Sequence, residues 1–305
     1  MKYLSSLVVL SALATPAPHS ALAAGSQPRS WVSAARGADA AGCGTTASPC
    51  RTFQYAFDNV TKSGGAILAL DPGEYGPISI INPISVVNDG VGGVTISSSS
   101  PANGNAVDIN LPSGGNVVLK GLTINGAAAG AGNGVKMASG GRLTVSHCVI
   151  SGYSYGTGVS GHGVLIAPAS GSAQFTVSDS ALSGNGWAGI WIAPNASAPG
   201  SASAEGVVRR VHMSGNDTGF SASGGNTSGS VKVAIEESVV SANSTFGLYL
   251  LGSNVTVTIN RVTARFNGGQ GFPSDISNTN GATLTSFNTN NYAASSGTVT
   301  TGALH

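Results

Sequence analysis

The sequence predicts an all-β fold, a single parallel β-solenoid capped at its N-terminal end by a short helix, and three observations carry that prediction. The first is a set of apolar columns. Leu119, Val145, Val177, Val208, Ile235 and Ile259 follow one another at intervals of 26, 32, 31, 27 and 24 residues, and Val117, Leu143, Phe175, Gly206, Val233 and Val257 stand two places before them. Further columns are Ile124, Ile150, Leu182, Met213, Val240 and Ala264; then Val135, Val164, Ile190, Phe220, Leu248 and Phe272; then Met137, Ile166, Ile192, Ala222 and Leu250. The second is alternation of these residues with small or polar ones, the period of a strand with one buried face. Several such strands per repeat are the pattern of a solenoid. The third is composition. Glycine is 45 of 305 residues, charged residues are 8% and hydrophobic residues 41%, which suits a chain of recurrent turns and is too apolar for disorder. A solenoid buries its core rung on rung, so one domain of about ten rungs suffices.

Taken in order, residues 1–23 read as a signal peptide: a basic Met1-Lys2, an apolar stretch from Leu4 to Ala14 too short to span a bilayer, and the small-x-small site Ala21-Leu22-Ala23. The expected location is therefore secreted or periplasmic. Without Lys2 the 13 Lys and Arg fall to 12, against 12 Asp and Glu. That balance leaves no electrostatic footprint for nucleic acid or an anionic membrane, and no second apolar span follows. Residues 24–65 hold a cysteine loop and the cap. Cys43 and Cys50 enclose a short Gly/Thr/Ser/Pro loop, where an oxidising compartment favours a disulfide. Thr52 to Lys62 then places Phe53, Ala56, Phe57 and Val60 at helical spacing, with Thr52 as N-cap and Gly64-Gly65 as the stop. Residues 66–305 carry the repeats, with irregular turns after Phe272. Cys148 falls in the column Leu122, Cys148, Ser180, Val211, Ser238 and Val262 and reads as a small buried hydrophobe.

The run from Cys50-Arg51-Thr52-Phe53 through Asp71-Pro72-Gly73-Glu74-Tyr75 to Val87-Asn88-Asp89-Gly90, followed by degenerate rungs, resembles exported bacterial proteins of the pectin-lyase-like superfamily. The resemblance covers essentially the whole mature chain and implies a single-stranded right-handed parallel β-helix. It implies no one activity, because the superfamily includes pectate lyases, polygalacturonases, alginate-modifying enzymes and adhesins. Gly161-His162-Gly163 is similar to a polygalacturonase segment, yet Ile109 through Ser178 contains no Asp or Glu. No acid and base pair can then flank a glycosidic bond beside His162, which is expected to be a turn residue. Calcium-dependent lyases cluster carboxylates; here the acids are scattered, and the adjacent pair Glu236-Glu237 points to opposite sides of a strand. No catalytic residue is assigned. His162, Arg209 and His212 remain as weak candidates, and no metal or cofactor is expected.

Stacking accounts for many of the other polar residues. Two places after the first column stand His147, Asp179, Arg210, Glu237 and Arg261, with Arg209 and Glu236 one place earlier. At a strand spacing of about 4.7–4.9 Å each charge neighbours an opposite one, which registers the rungs. Asn185, Asn216, Asn243 and Asn267 share one turn position and read as an amide ladder. The outward positions Lys136, Leu165, Trp191, Ser221 and Tyr249 form an unusually apolar face. Trp191 and Tyr249 lie two rungs apart, about 9.5 Å, a separation that suits alternate sugar rings of an extended glycan. Trp191, Tyr249, Lys136 and Leu165 are therefore the candidate ligand-binding set; the competing reading has the loop Ala193 to Glu205 folding over Trp191. The expected function is a non-catalytic binding or structural module for extracellular or cell-envelope polysaccharide. The alternative is a polysaccharide lyase, glycoside hydrolase or epimerase. The oligomeric state is left open.

Overall fold

The computed structural model describes residues 25–98, 104–112, 114–126, 131–156, 160–197, 199–268, 274–287, 289–293 and 295–302. Residues 1–24, which hold the expected signal peptide, and Phe272 lie outside them. The strands form three parallel sheets of eleven, nine and nine strands, here sheets A, B and C. The chain visits A, B and C in turn and returns to pair with its own previous coil. Ser172–Ser178, Ala181–Ser183 and Ala188–Ile192, for example, stack on Gly141–Ser146, Val149–Ser151 and His162–Ile166.

The apolar columns are the strand register. Leu119, Val145, Val177, Val208, Ile235 and Ile259 pair in succession, and all are completely buried. Where one column shrinks to Gly206, the ring of Phe175 on the previous coil fills the space: a Cβ on Gly206 would lie 2.6 Å from Phe175 Cδ2. The large ring and the missing side chain on adjacent coils thus compensate each other in the core. Leu248 pairs with Ile276, so Ile276 takes the place assigned to Phe272. The coils also continue beyond that point, through Ile276–Thr279, Thr283–Phe287 and Val299–Gly302, where irregular turns were expected.

Two corners define each coil. Between sheets A and B the chain turns on one residue with positive φ, and in five successive coils that residue is His147, Asp179, Arg210, Glu237 or Arg261, at φ 54°, 50°, 51°, 50° and 53°. Non-glycine residues adopt this conformation at a cost of about 1–2 kcal/mol each. The charged column therefore sits on strained corners. Between B and C the corner carries the buried asparagines. Asn185 Nδ2 donates to Asn216 Oδ1 (2.9 Å), Asn216 Nδ2 to Asn243 Oδ1 (3.0 Å), and Asn243 Nδ2 to Asn267 Oδ1 (2.8 Å). Each Oδ1 also accepts the backbone N–H of the preceding rung's asparagine, at 3.0, 3.1 and 3.2 Å.

The N-terminal section differs from expectation. Gln27–Val32 is already a strand of sheet A, pairing with Thr61–Ala69, so the solenoid begins before the cap rather than after it. The helix is shorter, Phe53–Asn59, because Lys62, Gly64 and Gly65 belong to the following strand. Thr52 does cap it, its side chain accepting from Tyr55 N at 3.1 Å, and Phe53, Ala56 and Phe57 face the core. Cys43 and Cys50 are joined by a disulfide with their Cα atoms 4.9 Å apart. Cys148 is a free, buried thiol that donates to Ser146 O, and burial raises it to about 11. That sets it against a reactive role.

Candidate functional site

The outer face of sheet C gathers several of the large aromatic side chains near the surface. Its geometry begins with glycines. Gly163, Gly189, Gly219 and Gly247 turn inward against the asparagine ladder, where an added Cβ would lie 2.7–3.1 Å from the Nδ2 of Asn185, Asn216, Asn243 or Asn267. The next residue, Val164, Ile190, Phe220 or Leu248, also points into the core. Two adjacent inward positions leave the residues on either side, His162, Ala188, Thr218 and Phe246 together with Leu165, Trp191, Ser221 and Tyr249, in the outward register of the sheet, where His162, Ala188, Thr218, Leu165 and Ser221 are covered by their neighbours.

Leu165, Trp191, Ser221, Tyr249 and Ser277 pair in succession along the solenoid axis. Trp191 packs on His162 with centroids 4.7 Å apart, and on Trp187 edge-on at 6.3 Å. Tyr155, 66% exposed, extends this group with its ring 6.5 Å from Trp187. Two coils on, Phe246 and Tyr249 stack nearly parallel, 5.0 Å apart at 17°. All four rings of the two groups Trp187/Trp191 and Phe246/Tyr249 are half-buried, with accessible surface remaining. Between the groups lie buried Ser221 and Thr218 and the Asp217 carboxylate, which accepts from Thr245 Oγ1 (2.5 Å), Thr218 Oγ1 (3.2 Å) and Ser244 Oγ (3.3 Å).

The structure separates the residues singled out from sequence. Leu165 holds an outward register but is completely buried, so it underlies the aromatic group instead of offering a contact surface. Lys136 is half-buried at the end of the row beside Asp108, on whose carboxyl burial acts upward and the Lys136 charge downward, with a raised result. Trp191 is not sealed off; its half-burial involves Trp187 and His162, and the chain from 203 onward is the strand Ser203–Arg209. His162 is not a turn residue. It opens the strand His162–Ile166 and is completely buried; neither ring nitrogen has a hydrogen-bond partner, and burial pushes its pKa down to about 3. Trp187, Phe246 and Asp217 were missed from sequence because they precede or open their strands, where alternation gives no direction.

Arg209 and His212 lie on other faces, in sheets A and B. Arg209 belongs to the charged corner. Its Nε is 3.0 Å from Glu237 Oε2 and 3.9 Å from Glu236 Oε2. Arg210 grips Asp179 with two bonds of 2.6 and 3.0 Å and approaches Glu237 at 3.5 Å, while Arg261 also contacts Glu237. The Arg210 hydrogen bond holds Asp179 below its ordinary pKa, and that of Arg209 does the same for Glu237. These cations are committed to neighbouring rungs. A groove of about 610 Å³ on sheet A is lined by Arg142, Gln174, Glu205 and Lys232 over an apolar floor, but there Gln174 Oε1 takes two bonds from Arg142 and the charges are of both signs. Among the described residues no group of three His, Cys, Asp or Glu is placed to hold a metal ion.

Residues 79–199 match the family described as right handed beta helix region. No curated protein matches the chain. The chain is similar in structure to a solved pectate lyase, Pel9A, with a TM-score of 0.60 at 18% identity, covering 91% of this chain and 78% of that one. At that identity the likeness concerns fold alone. With the stacked sheets and the inward columns, these findings show that the chain folds as a right-handed parallel β-helix, the fold it shares with that lyase.

Proposed function

We propose that this protein is an exported, non-catalytic binder of extracellular or cell-envelope polysaccharide and that the outer face of sheet C is its contact surface. The observation that carries this reading is the pair of aromatic groups, Trp187/Trp191 and Phe246/Tyr249, repeated two coils apart with a polar interval between them. Apolar C–H faces of sugar rings pack on such rings. The binding reading is also supported by what surrounds His162: no carboxylate accepts from either of its nitrogens, and the Asp217 carboxylate is engaged by the hydroxyls of Thr245, Thr218 and Ser244. A hydrolase needs two carboxyl groups flanking one bond. The sequence features of residues 1–23 support export.

Affinity electrophoresis in gels containing polysaccharide, run beside reducing-sugar and unsaturated-product assays, tests the proposal. Wild type is expected to be retarded without turnover, and Trp191→Ala and Tyr249→Ala each to weaken retardation several-fold while leaving the far-UV circular dichroism intact. Retention unchanged in both variants refutes the face. Turnover by wild type that both substitutions spare transfers the function to the lyase, hydrolase or epimerase alternative and to His162, Arg209 or His212.

A further inference from the structure

The geometry points to the chemical class of glycan: an uncharged, extended β-1,4-linked pyranose chain lying along the solenoid axis, with rings n and n+2 on the two aromatic groups and ring n+1 over Ser221 and Asp217. This inference rests on the binding reading above and deepens it.

Three features select that class. The first is spacing. Trp191 and Tyr249 occupy one register column with Ser221 between them, and each carries a second ring beside it, Trp187 next to Trp191 and Phe246 next to Tyr249. Two strand spacings are about 9.5 Å, close to the disaccharide repeat of a fully extended β-1,4 chain. The second is symmetry. Successive rings of such a chain are flipped, so n and n+2 turn the same face to the protein and n+1 turns the other. The surface has the same alternation, with aromatic, hydroxyl-and-carboxylate, and aromatic coils. An α-1,4-linked chain curves and does not return the same face at that distance. The third is charge. Asp217 stands between the groups with its hydrogen-bonding capacity directed at sugar-like hydroxyls, already taken up in part by Thr245, Thr218 and Ser244. The one basic residue of the outward row, Lys136, lies two coils from Trp191 and beside Asp108. Arg209, Arg210 and Arg261 are bound to the acids of the far corner. A uronate over this surface would meet a carboxylate and, among the described residues of the outward row, no cation nearer than Lys136, and like charges placed together oppose binding.

Isothermal titration with cellohexaose, chitohexaose, maltohexaose and hexagalacturonate, together with a cello-oligosaccharide length series, tests this. Cellohexaose or chitohexaose is expected to bind at least tenfold more tightly than the other two, with the largest single gain in the length series between disaccharide and trisaccharide, where the second aromatic group is first reached. Asp217→Asn is expected to strengthen hexagalacturonate binding several-fold while changing the neutral hexaoses little. Hexagalacturonate binding as tight as or tighter than the neutral β-1,4 chains, and still lost in Trp191→Ala, overturns the glycan class but leaves the binding face standing. A uniform gain per sugar with no step at the trisaccharide overturns the axial placement. If none of the four hexaoses binds, or all bind equally well to Trp191→Ala and Tyr249→Ala, the binding reading itself fails.

Discussion

Acidification should destabilise this fold through His162. The imidazole is completely buried against Trp191 and Trp187 with neither nitrogen hydrogen-bonded, and burial pushes its pKa down to about 3 from 6.5. Between those two values the unfolded chain binds a proton and the folded one does not, so stability falls as pH falls. The slope approaches about 1 kcal/mol per pH unit within that interval, a loss on the order of 2 kcal/mol from pH 6.5 to 4.5. The depressed carboxylates Asp71, Asp179 and Glu237 act lower, because their contributions are present above their ordinary values of 3.8, 3.8 and 4.5 and vanish only as pH drops below those. Asp108, raised by burial, has the opposite sign and gains stability on acidification. The difference between wild type and His162→Phe isolates the histidine. Urea midpoints followed by circular dichroism and tryptophan fluorescence should converge or cross between pH 6.5 and 4.5, with wild type losing ground to the variant at each step. Parallel pH profiles for the two proteins would refute the buried neutral histidine.

Two further outcomes follow from the stacked corners. Asn216→Ala leaves the backbone N–H and one amide hydrogen of Asn185 without an acceptor inside the fold, at about 1–3 kcal/mol for each buried donor; a lowered urea midpoint checks it, and an unchanged midpoint speaks against the ladder. Arg210→Glu sets three acids in a row with Asp179 and Glu237 and should lower the thermal midpoint at low salt, with partial recovery when Asp179→Arg is added. Reversal at Glu237 is the poorer compensation, since Arg209 and Arg261 already face it. The effect should fade in high salt because these side chains are at the surface.

The inward columns could be read before any coordinates because burial fixes a period of two and stacking repeats it, so Val145, Val177, Val208 and Ile235 were in register on the page. Asparagine and charge ladders were legible for the same reason. Corners were not. Nothing in the residue types says that His147, Asp179, Arg210 and Glu237 take positive φ, since such residues rarely do. The same blindness affected the candidate site. Val164 and its glycine neighbour both face inward, which breaks alternation and turns His162, and Phe246 two coils further on, to the outward side of the sheet, a shift that simple parity assigns to the wrong side. Leu165 shows the converse, an outward register that nonetheless ends in complete burial. At the N-terminus, the apolar spacing Phe53, Ala56, Phe57 and Val60 does belong to the helix and its C-cap, but nothing in it marked where the helix stops, so Thr61 and Lys62, the first residues of the next strand, were included.

The asparagine ladder has a polarity that the apolar columns lack. Every amide along it points the same way: Tyr153 N–H donates into Asn185 Oδ1 at one end, and at the other Asn267 donates both its backbone N–H and Nδ2 to Asp275 Oδ1. Acceptance of the backbone N–H by each Oδ1 leaves the amides no freedom to flip. Four aligned side-chain dipoles therefore sum along the corner much as peptide dipoles sum along a helix, and a carboxylate closes the positive end. The structure thus has a built-in vector running from the middle of the solenoid toward its C-terminal coils. A coil inserted without an asparagine would cut that vector in two, and only the half nearer Asp275 would keep its terminal anion.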